Sequence, residues 1–311
     1  MLLLSVTALA ADDWQYSIAD KTAKITKYTG SAETVEIPKE LGGAAVTVIG
    51  DGAFRFNTKI REITMPDSIT RIETRAFDYC SSLSKVELSE NLVYMGEFVF
   101  NSCASLETVI LPDSITTMGS CTFFGCTSLR AASLPKSLGK VPISTFSGCK
   151  ALESITVPAG YTSVEPGAFG NCISLKEVDI PAGVTAIGKN VFNGCTGLER
   201  VIIPESVVSI GTSAFQSSNP VIAGSKGSYA QQYALENGFL FEVMEKVEDY
   251  VLGDLDGDKS LTSMDTNLMK RTLAGVMSLT KEQEKAADAN GDGSVNGIDS
   301  NLLTRLLAGV K

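Results

Sequence analysis

Phenylalanine recurs in this chain every 23 residues, at eight successive positions without interruption. The positions are Phe54, Phe77, Phe100, Phe123, Phe146, Phe169, Phe192 and Phe215. A fixed period of this length is typical of repeat architectures, in which each copy buries its apolar side against the next copy. The spacing therefore predicts a solenoid with one rung for each phenylalanine.

Three further columns keep the same phase. A cysteine follows three residues after six of the phenylalanines, at Cys80, Cys103, Cys126, Cys149, Cys172 and Cys195. An aliphatic residue follows six residues after the first seven, at Ile60, Leu83, Leu106, Leu129, Leu152, Leu175 and Leu198. A proline lies twelve residues after six of the phenylalanines, at Pro66, Pro112, Pro135, Pro158, Pro181 and Pro204. After Phe77 the corresponding residue is Ser89. Stretches such as 106–112 are predicted to be strands ended by proline, and stretches such as 168–172 to be the tight turns opposite.

The pattern Ile-Gly-x-x-Ala-Phe-x-x-Cys-x-x-Leu-x-x-Val-x-Ile-Pro resembles the BspA-type leucine-rich repeat family of bacterial surface and secreted proteins, over residues 33–222. The resemblance implies a leucine-rich-repeat solenoid of short parallel strands with turns or short helices. Terminal rungs of a solenoid need caps. We predict an N-terminal cap at 12–32, with a hairpin of strands 14–18 and 24–28. The C-terminal cap is predicted at 223–241, with a helix from Ser228 that stops at Gly238 and a last strand at 239–241. A short linker is expected at 242–251.

An aspartate-rich loop, 254–265, is repeated as 288–299, and each copy precedes an amphipathic stretch, 267–276 or 301–310. Ca²⁺ takes six to eight oxygen ligands, and a twelve-residue loop with oxygens at positions 1, 3, 5, 7 and 12 can surround it. Thr280 and Gln283 form a capping-box pattern that predicts a short helix at 281–287. The apolar faces of the flanking helices are predicted to contain Leu268, Leu273, Leu302, Leu306 and Leu307.

This order of loop, helix, helix, loop and helix resembles a type I dockerin, the module that binds cohesin domains of scaffoldins, over residues 252–311. The resemblance implies a small all-α unit with paired EF-hand-like loops and two Ca²⁺ ions. It assigns the calcium ligands to Asp254, Asp256, Asp258, Ser260, Thr262, Asp265, Asp288, Asn290, Asp292, Ser294, Asn296 and Asp299, with Thr262 and Asn296 acting through water. It assigns cohesin contacts to Ser263, Met264, Lys270, Arg271, Gly297, Ile298, Thr304 and Arg305. Met264 and Ile298 can alternatively face the core.

The two loops differ at position 6, which is Lys259 in the first and Gly293 in the second. Because the sharp turn at this position usually uses the freedom of glycine at positive φ, we expect the second loop to bind calcium more tightly. Calorimetric titration of Asp254→Ala and Asp288→Ala variants checks the ranking, and a tighter first site would overturn it.

Composition limits the remaining possibilities. The net charge of −10 and the lack of a basic patch argue against nucleic-acid binding. Residues 1–11 resemble a truncated signal peptide with an Ala-x-Ala site but no basic start; the alternative is an apolar tail. No long apolar run follows, so no transmembrane segment is expected. We expect a secreted protein, attached to a cell-surface cellulosome.

The cysteine column is predicted to be a buried ladder of free thiols. Side chains in one column leave the backbone in parallel, which suits the disulfide dihedral poorly. Cys121 lies outside the column, and both an exposed and a buried position remain open for it.

The chain contains no histidine, which excludes histidine-dependent nucleophiles and general bases, and most catalytic zinc sites. Acidic residues such as Glu62, Glu177 and Asp179 fall in columns predicted to face solvent. We therefore predict no enzyme, but a recognition protein that docks onto a scaffoldin and presents its repeats to an unknown macromolecule in a cellulosome. The alternatives are a carbohydrate-active component, for which the candidate aromatic patch is Tyr79, Tyr94, Phe98, Phe124 and Tyr161, and a surface adhesin.

Overall fold

The computed structural model describes residues 11–244, 255, 260–275, 278–289 and 294–308. The predicted signal peptide therefore lies, apart from Ala11, outside the described residues. The chain forms two compact units, residues 1–245 and 246–311. Among the described residues, every helix is too short or too polar to span a bilayer.

The first unit is a solenoid of short strands. In chain order these are β1 (Trp14–Ala19), β2 (Thr22–Tyr28), β3 (Thr34–Glu36), β4 (Glu40–Leu41), β5 (Ala44–Ile49), β6 (Glu62–Thr64), β7 (Arg71–Ile72), β8 (Lys85–Glu87), β9 (Tyr94–Met95), β10 (Thr108–Val109), β11 (Thr117–Met118), β12 (Ala131–Ser133), β13 (Lys140–Val141), β14 (Ser154–Thr156), β15 (Ser163–Val164), β16 (Glu177–Asp179), β17 (Ala186–Ile187), β18 (Arg200–Ile202), β19 (Ser209–Ile210), β20 (Val221–Gly224) and β21 (Phe241–Val243). The helices of both units are α1 (Tyr229–Asn237), α2 (Ser263–Leu273), α3 (Lys281–Ala287) and α4 (Gly297–Leu307), and a 3₁₀ turn spans Ala11–Asp13.

Each rung contributes two short strands, one to each of two columns of parallel strands. One column runs β3-β6-β8 and then β10-β12-β14-β16-β18-β20-β21, and the other contains β5-β7-β9-β11 and then β13-β15-β17-β19. In the first column Ile63 pairs with Val86, its equivalent in the next rung. The second strand of each rung was not predicted from the sequence. The predicted strand at 106–112 is only two residues long, as β10. The segments opposite the strands, such as 168–172, are tight turns, as predicted.

The phenylalanine column is the centre of the core. All eight rings are at most 1% exposed. Neighbouring ring centroids lie 4.8 to 5.8 Å apart, and the ring planes in the middle of the column are within 8° of parallel. The rungs are equal in length, so every copy places its ring over the preceding one, and apolar burial is the main contribution to stability.

Aromatic side chains close both ends of this stack. At the N-terminal end the ring of Tyr28 stacks on Phe54 at 5.3 Å, and Trp14 packs against Tyr28 at 4.8 Å. At the C-terminal end Tyr233 and Phe239 both pack against Phe215. The caps therefore cover the two rings that have a neighbour on one side only.

The structure has a hairpin and a helix at the two ends of the solenoid, where the caps were expected. The N-terminal hairpin is the antiparallel pair β1–β2. Helix α1 begins after Ser228, whose hydroxyl accepts from the Gln231 N–H, and ends at Gly238, which adopts a φ of 76°. The predicted last strand at 239–241 is wrong by two residues, because Phe239 turns inward against Phe215 and pairing with β20 begins at Phe241.

The six cysteines of the column are buried free thiols, as predicted. Each Sγ donates a hydrogen bond to the carbonyl oxygen of the phenylalanine one rung before its own; for Cys126 the acceptor is Phe100, at 3.1 Å. The same contact recurs at Cys80, Cys103, Cys149, Cys172 and Cys195. Burial raises the pKa of the Cys126 thiol to about 12. These thiols therefore remain protonated near neutral pH.

We expect alkylation of the folded protein at about pH 8 to modify at most one thiol. The thiolate is the reactive form, and the six column thiols are buried and protonated at that pH. Cys121, which is half-buried, is the expected site. Intact mass after iodoacetamide treatment measures the count, and denatured protein, in which all seven thiols should react, is the control. A second modified thiol in the folded protein would contradict the buried column.

Candidate metal centre

The second unit is held together by a small apolar core between three helices. Its buried members are Leu255, Met269, Ala286, Ala287 and Leu303. Helices α2 and α4 pack against each other, and Met269 and Leu303 occupy equivalent positions of the two copies. The internal duplication therefore places its two copies on either side of one core.

The predicted apolar faces are only partly correct. Leu268 packs against the core as predicted, but Leu273 and Leu307 are 42% and 41% exposed. Leu273 lies one helical turn after Met269, and Leu307 lies one helical turn after Leu303. The side chain of Leu306 is outside the described residues.

The last residue of the first loop, Asp265, is fully buried. Its Oδ1 accepts a hydrogen bond from the Leu255 N–H at 2.7 Å. Its Oδ2 accepts from the N–H of Thr262 at 2.7 Å and from the Thr262 hydroxyl at 3.0 Å. One carboxylate therefore fastens position 2 of the loop to position 9, and at the same time caps helix α2.

The second loop repeats part of this arrangement. Asp299 is also fully buried, and its Oδ2 accepts from the Asn296 N–H at 2.9 Å. The Asn296 amide donates to the carbonyl oxygen of Ser294 at 3.3 Å. Burying a charged carboxylate is costly unless the charge is compensated. Two carboxylates buried in equivalent positions are thus chemically suited to a hard cation held by oxygen atoms.

Helix α3 connects the two halves and also supports the first loop. Its capping box is formed as predicted: the Gln283 N–H donates to the Thr280 hydroxyl at 3.2 Å, and the Thr280 N–H donates to the Gln283 side-chain oxygen at 2.9 Å. The Gln283 amide then donates to the Leu255 carbonyl at 2.8 Å. The link to Leu255 was missed from the sequence, because a capping box predicts a helix start but no tertiary contact.

The described residues cover more than half of the predicted calcium ligands. Thr262, Asp265, Asn296 and Asp299 lie at the starts of α2 and α4, whereas Asp288 is half-buried at the end of α3. Ser260 and Ser294 are exposed. The remaining predicted ligands lie outside the described residues; these are Asp254, Asp256, Asp258, Asn290 and Asp292.

The predicted cohesin-contact residues lie on α2 and α4. On α2, Ser263, Lys270 and Arg271 are exposed and Met264 is 57% exposed, so the core-facing alternative for Met264 is wrong. On α4, Thr304 and Arg305 are exposed. Gly297 and Ile298 begin α4, and the structure describes only their place in the helix.

The solenoid offers two candidate recognition surfaces. On the exposed face of the longer strand column, the middle rungs present small or aliphatic residues such as Ile110, Ser133 and Thr156, and charged residues lie toward both ends. The charges form inter-rung ion pairs, for example Arg200 with Glu177 at 2.7 Å and with Glu242 at 3.0 Å. The second surface is aromatic and contains Tyr79 and Phe124, both exposed.

The aromatic patch predicted from the sequence does not include Tyr161. That side chain is fully buried, and its hydroxyl donates to the Pro135 carbonyl at 2.7 Å. Tyr94 and Phe98 are half-buried, and each ring lies under an arginine, with Arg71 3.6 Å from the Tyr94 ring centroid.

Family comparisons match both parts of the chain. Residues 24–152 and 122–234 match the BspA type leucine rich repeat region, in six copies. Residues 252–308 match the dockerin type I domain. The two matches include no catalytic domain. No curated protein sequence matches the chain.

Among solved structures, the solenoid is similar to a leucine-rich repeat protein of T. pallidum. The TM-score is 0.52 and the identity 23%, over 76% of this chain and 98% of that one. A leucine-rich repeat protein of Bacteroides ovatus ATCC 8483 is 20% identical over 77% of this chain and 100% of that one, with a TM-score of 0.44. The first likeness supports the fold alone.

Proposed function

Because the chain belongs to the BspA-type leucine-rich repeat proteins and carries a dockerin type I domain, we propose that it is a non-catalytic recognition component of a cellulosome. In this function the second unit docks onto a cohesin of a scaffoldin, and the solenoid presents its surface to another macromolecule. The single observation that most supports docking is the paired geometry of Asp265 and Asp299 at the starts of two equivalent helices.

In this proposal, calcium orders the two loops and the helices that follow them. The twelve ligands assigned from the family resemblance would hold two ions, six ligands in each loop, with Asp265 and Asp299 closing the loops from the helix side. Bound Ca²⁺ supplies positive charge among carboxylates that otherwise repel one another. Asp265 and Asp299 then hold the helix starts in place, and the exposed residues of α2 and α4 are presented to the cohesin.

The two helices offer different contact residues. The pair Lys270–Arg271 on α2 corresponds to Thr304–Arg305 on α4. Because charge and shape differ between the pairs, the cohesin is expected to prefer one face over the other.

The positions of the acidic residues support a non-catalytic role for the solenoid. Carboxylates on the strand face are exposed and several pair with a basic side chain one rung away, as Glu199 does with Lys176 at 3.1 Å. Exposed ion pairs of this kind are typical of a solvated surface. Repeat solenoids commonly use such extended surfaces for macromolecular recognition.

The test is binding of the full chain to a panel of immobilised cohesins, with Ca²⁺ and with excess chelator. We expect at least one cohesin to be bound, binding to be lost in chelator, and binding to return when Ca²⁺ is restored. An Asp265→Ala/Asp299→Ala double variant should behave as the wild type does in chelator. Binding that is equally strong with chelator present, or no binding to any cohesin, would overturn the docking proposal.

A further inference from the structure

One column of the solenoid surface has a backbone conformation that L side chains rarely adopt. The residue two after each core phenylalanine has a φ between 57° and 78° in every rung. The column consists of Phe56, Tyr79, Ser102, Gly125, Gly148, Asn171, Gly194 and Ser217. For bulky residues this conformation is a real outlier, and such outliers concentrate at ligand-binding sites. The first two rungs place their aromatic side chains in this strained position, whereas later rungs use glycine, serine or asparagine.

The two aromatic side chains are exposed and held in place. Phe56 is 59% and Tyr79 47% exposed, and their ring centroids lie 5.3 Å apart at an angle of 30°. The guanidinium carbon of Arg55 lies 4.5 Å from the Phe56 centroid, while its Nε donates to the Asp78 carboxylate at 2.8 Å. Asp78 is buried and also accepts from the Asn101 amide at 2.7 Å. The hydrogen bonds of Asp78 therefore hold Arg55 in place against the Phe56 ring.

Beyond Tyr79 the column has only small side chains or none. Over the next three rungs, about 14 Å at the spacing of adjacent strands, no side chain in the column is larger than that of Ser102. In the described chain the only ring contact of Tyr79 is with Phe56, so one face of its ring lies toward this stretch. Phe124, 41% exposed, stands beside Gly125 at the edge.

The backbone of this stretch presents acceptors but few donors. The N–H groups of Ser102, Gly125 and Gly148 donate to carbonyl oxygens of the next rung at 2.7 to 2.8 Å. Their own carbonyl oxygens accept no hydrogen bond from any part of the chain that the structure describes. Since the three residues are partly exposed, these oxygens are available to a ligand that brings hydroxyl or N–H donors.

We propose that this surface, formed by Phe56, Tyr79, Phe124 and the carbonyl groups of Ser102, Gly125 and Gly148, binds a neutral oligosaccharide segment. The apolar face of one sugar ring stacks on Tyr79, and its hydroxyl groups donate to the row of carbonyl oxygens. The proposal rests on the proposed function, since it names the ligand class of the repeat surface.

Two other ligands with flat faces fit less well. A nucleic acid would stack on the ring, but the chain has a net charge of −10 and the surface lacks the basic groove that phosphates need. A proline-rich peptide would also pack on aromatic rings, but proline has no N–H to donate to the exposed carbonyl oxygens. A neutral saccharide meets both the stacking and the hydrogen-bonding requirement.

The experiment is affinity electrophoresis and calorimetry of the full chain against soluble neutral polysaccharides (a xylan, a mannan, a mixed-linkage glucan and a xyloglucan), with a proline-rich peptide in parallel. Wild type is expected to bind at least one polysaccharide. Tyr79→Gly should weaken that binding about tenfold or more, because it removes the apolar ring face on which the sugar packs. Tyr79→Phe should keep most of the binding. Tyr229→Ala, which changes an exposed tyrosine on α1, should have no effect.

The glycine variant separates binding from folding. Glycine is favoured at the φ of 59° found at Tyr79, so the unfolding midpoint of Tyr79→Gly should be no lower than that of wild type. No polysaccharide binding by wild type, or equal binding by Tyr79→Gly, would overturn the proposal, as would binding of the peptide alone. Calcium-dependent cohesin binding, measured on the same samples, reports separately on the docking function.

Discussion

Replacing Phe146 by alanine is expected to destabilise the solenoid by about 3–5 kcal/mol, the usual cost of deleting a buried phenylalanine. Phe146 is fully buried in the middle of the stack, with Phe123 at 5.6 Å and Phe169 at 5.8 Å. The loss includes its apolar transfer free energy, the cavity left behind, and two stacking contacts of roughly 0.5–1.5 kcal/mol each. Urea denaturation followed by far-UV circular dichroism measures the change.

A matched control for this variant lies one rung away. Phe124 follows a core phenylalanine directly but is exposed, so Phe124→Ala should change stability by less than about 0.5 kcal/mol. Phe146→Leu, which keeps most of the volume, should fall between the two. An effect of Phe146→Ala no larger than that of Phe124→Ala would mean that the phenylalanine column is not the main source of stability.

Replacing Asp265 by alanine is expected to weaken calcium binding at the first loop by about 100-fold or more, which corresponds to roughly 2.7 kcal/mol. The substitution removes a proposed ligand and leaves the N–H groups of Leu255 and Thr262 without their acceptor. Each buried donor left unsatisfied costs about 1–3 kcal/mol. Two effects thus act together on one loop, because the same carboxylate is a proposed calcium ligand and accepts hydrogen bonds from two loop residues. Calorimetric titration of the full chain with Ca²⁺ measures the affinity.

Two variants separate the contributions of Asp265. Asp265→Asn retains a carbonyl oxygen as acceptor but removes the charge, so it should retain more helical signal than Asp265→Ala while still binding calcium weakly. Ser263→Ala, at an exposed neighbouring position, should leave the affinity unchanged. Wild-type calcium affinity in Asp265→Ala would contradict the assignment of this residue as a ligand.

The sequence predicted the solenoid well because its period is strict. Equal rungs stack in register, so any residue type that recurs once in every rung must form a column. The columns of Phe146 and Cys126 recur and are apolar as well, which is why their burial could be predicted. The second strand of each rung was missed because its two residues, as in β7, are too few to give an alternating pattern.

The sequence predicted burial wrongly at positions where contacts between distant parts of the chain decide which side chains are buried. Leu273 and Leu307 continue the helical period, but the core formed by Leu255, Met269 and Leu303 extends over one turn less than the pattern suggests. Tyr161 was assigned to the surface from its residue type, but it fills a core position normally held by an aliphatic residue. In the candidate metal centre, the capping box at Thr280 was readable locally, whereas the bond from Gln283 to Leu255 joins residues far apart in the chain.

The thiol column has a consequence for where the solenoid can fold. Each of its six Sγ atoms is already engaged with a phenylalanine carbonyl, and no disulfide links the seven cysteines. The architecture thus requires neither an oxidase nor an isomerase to reach its native form. The same folded solenoid is expected under reducing and oxidising conditions, so its assembly is independent of the redox potential of the compartment.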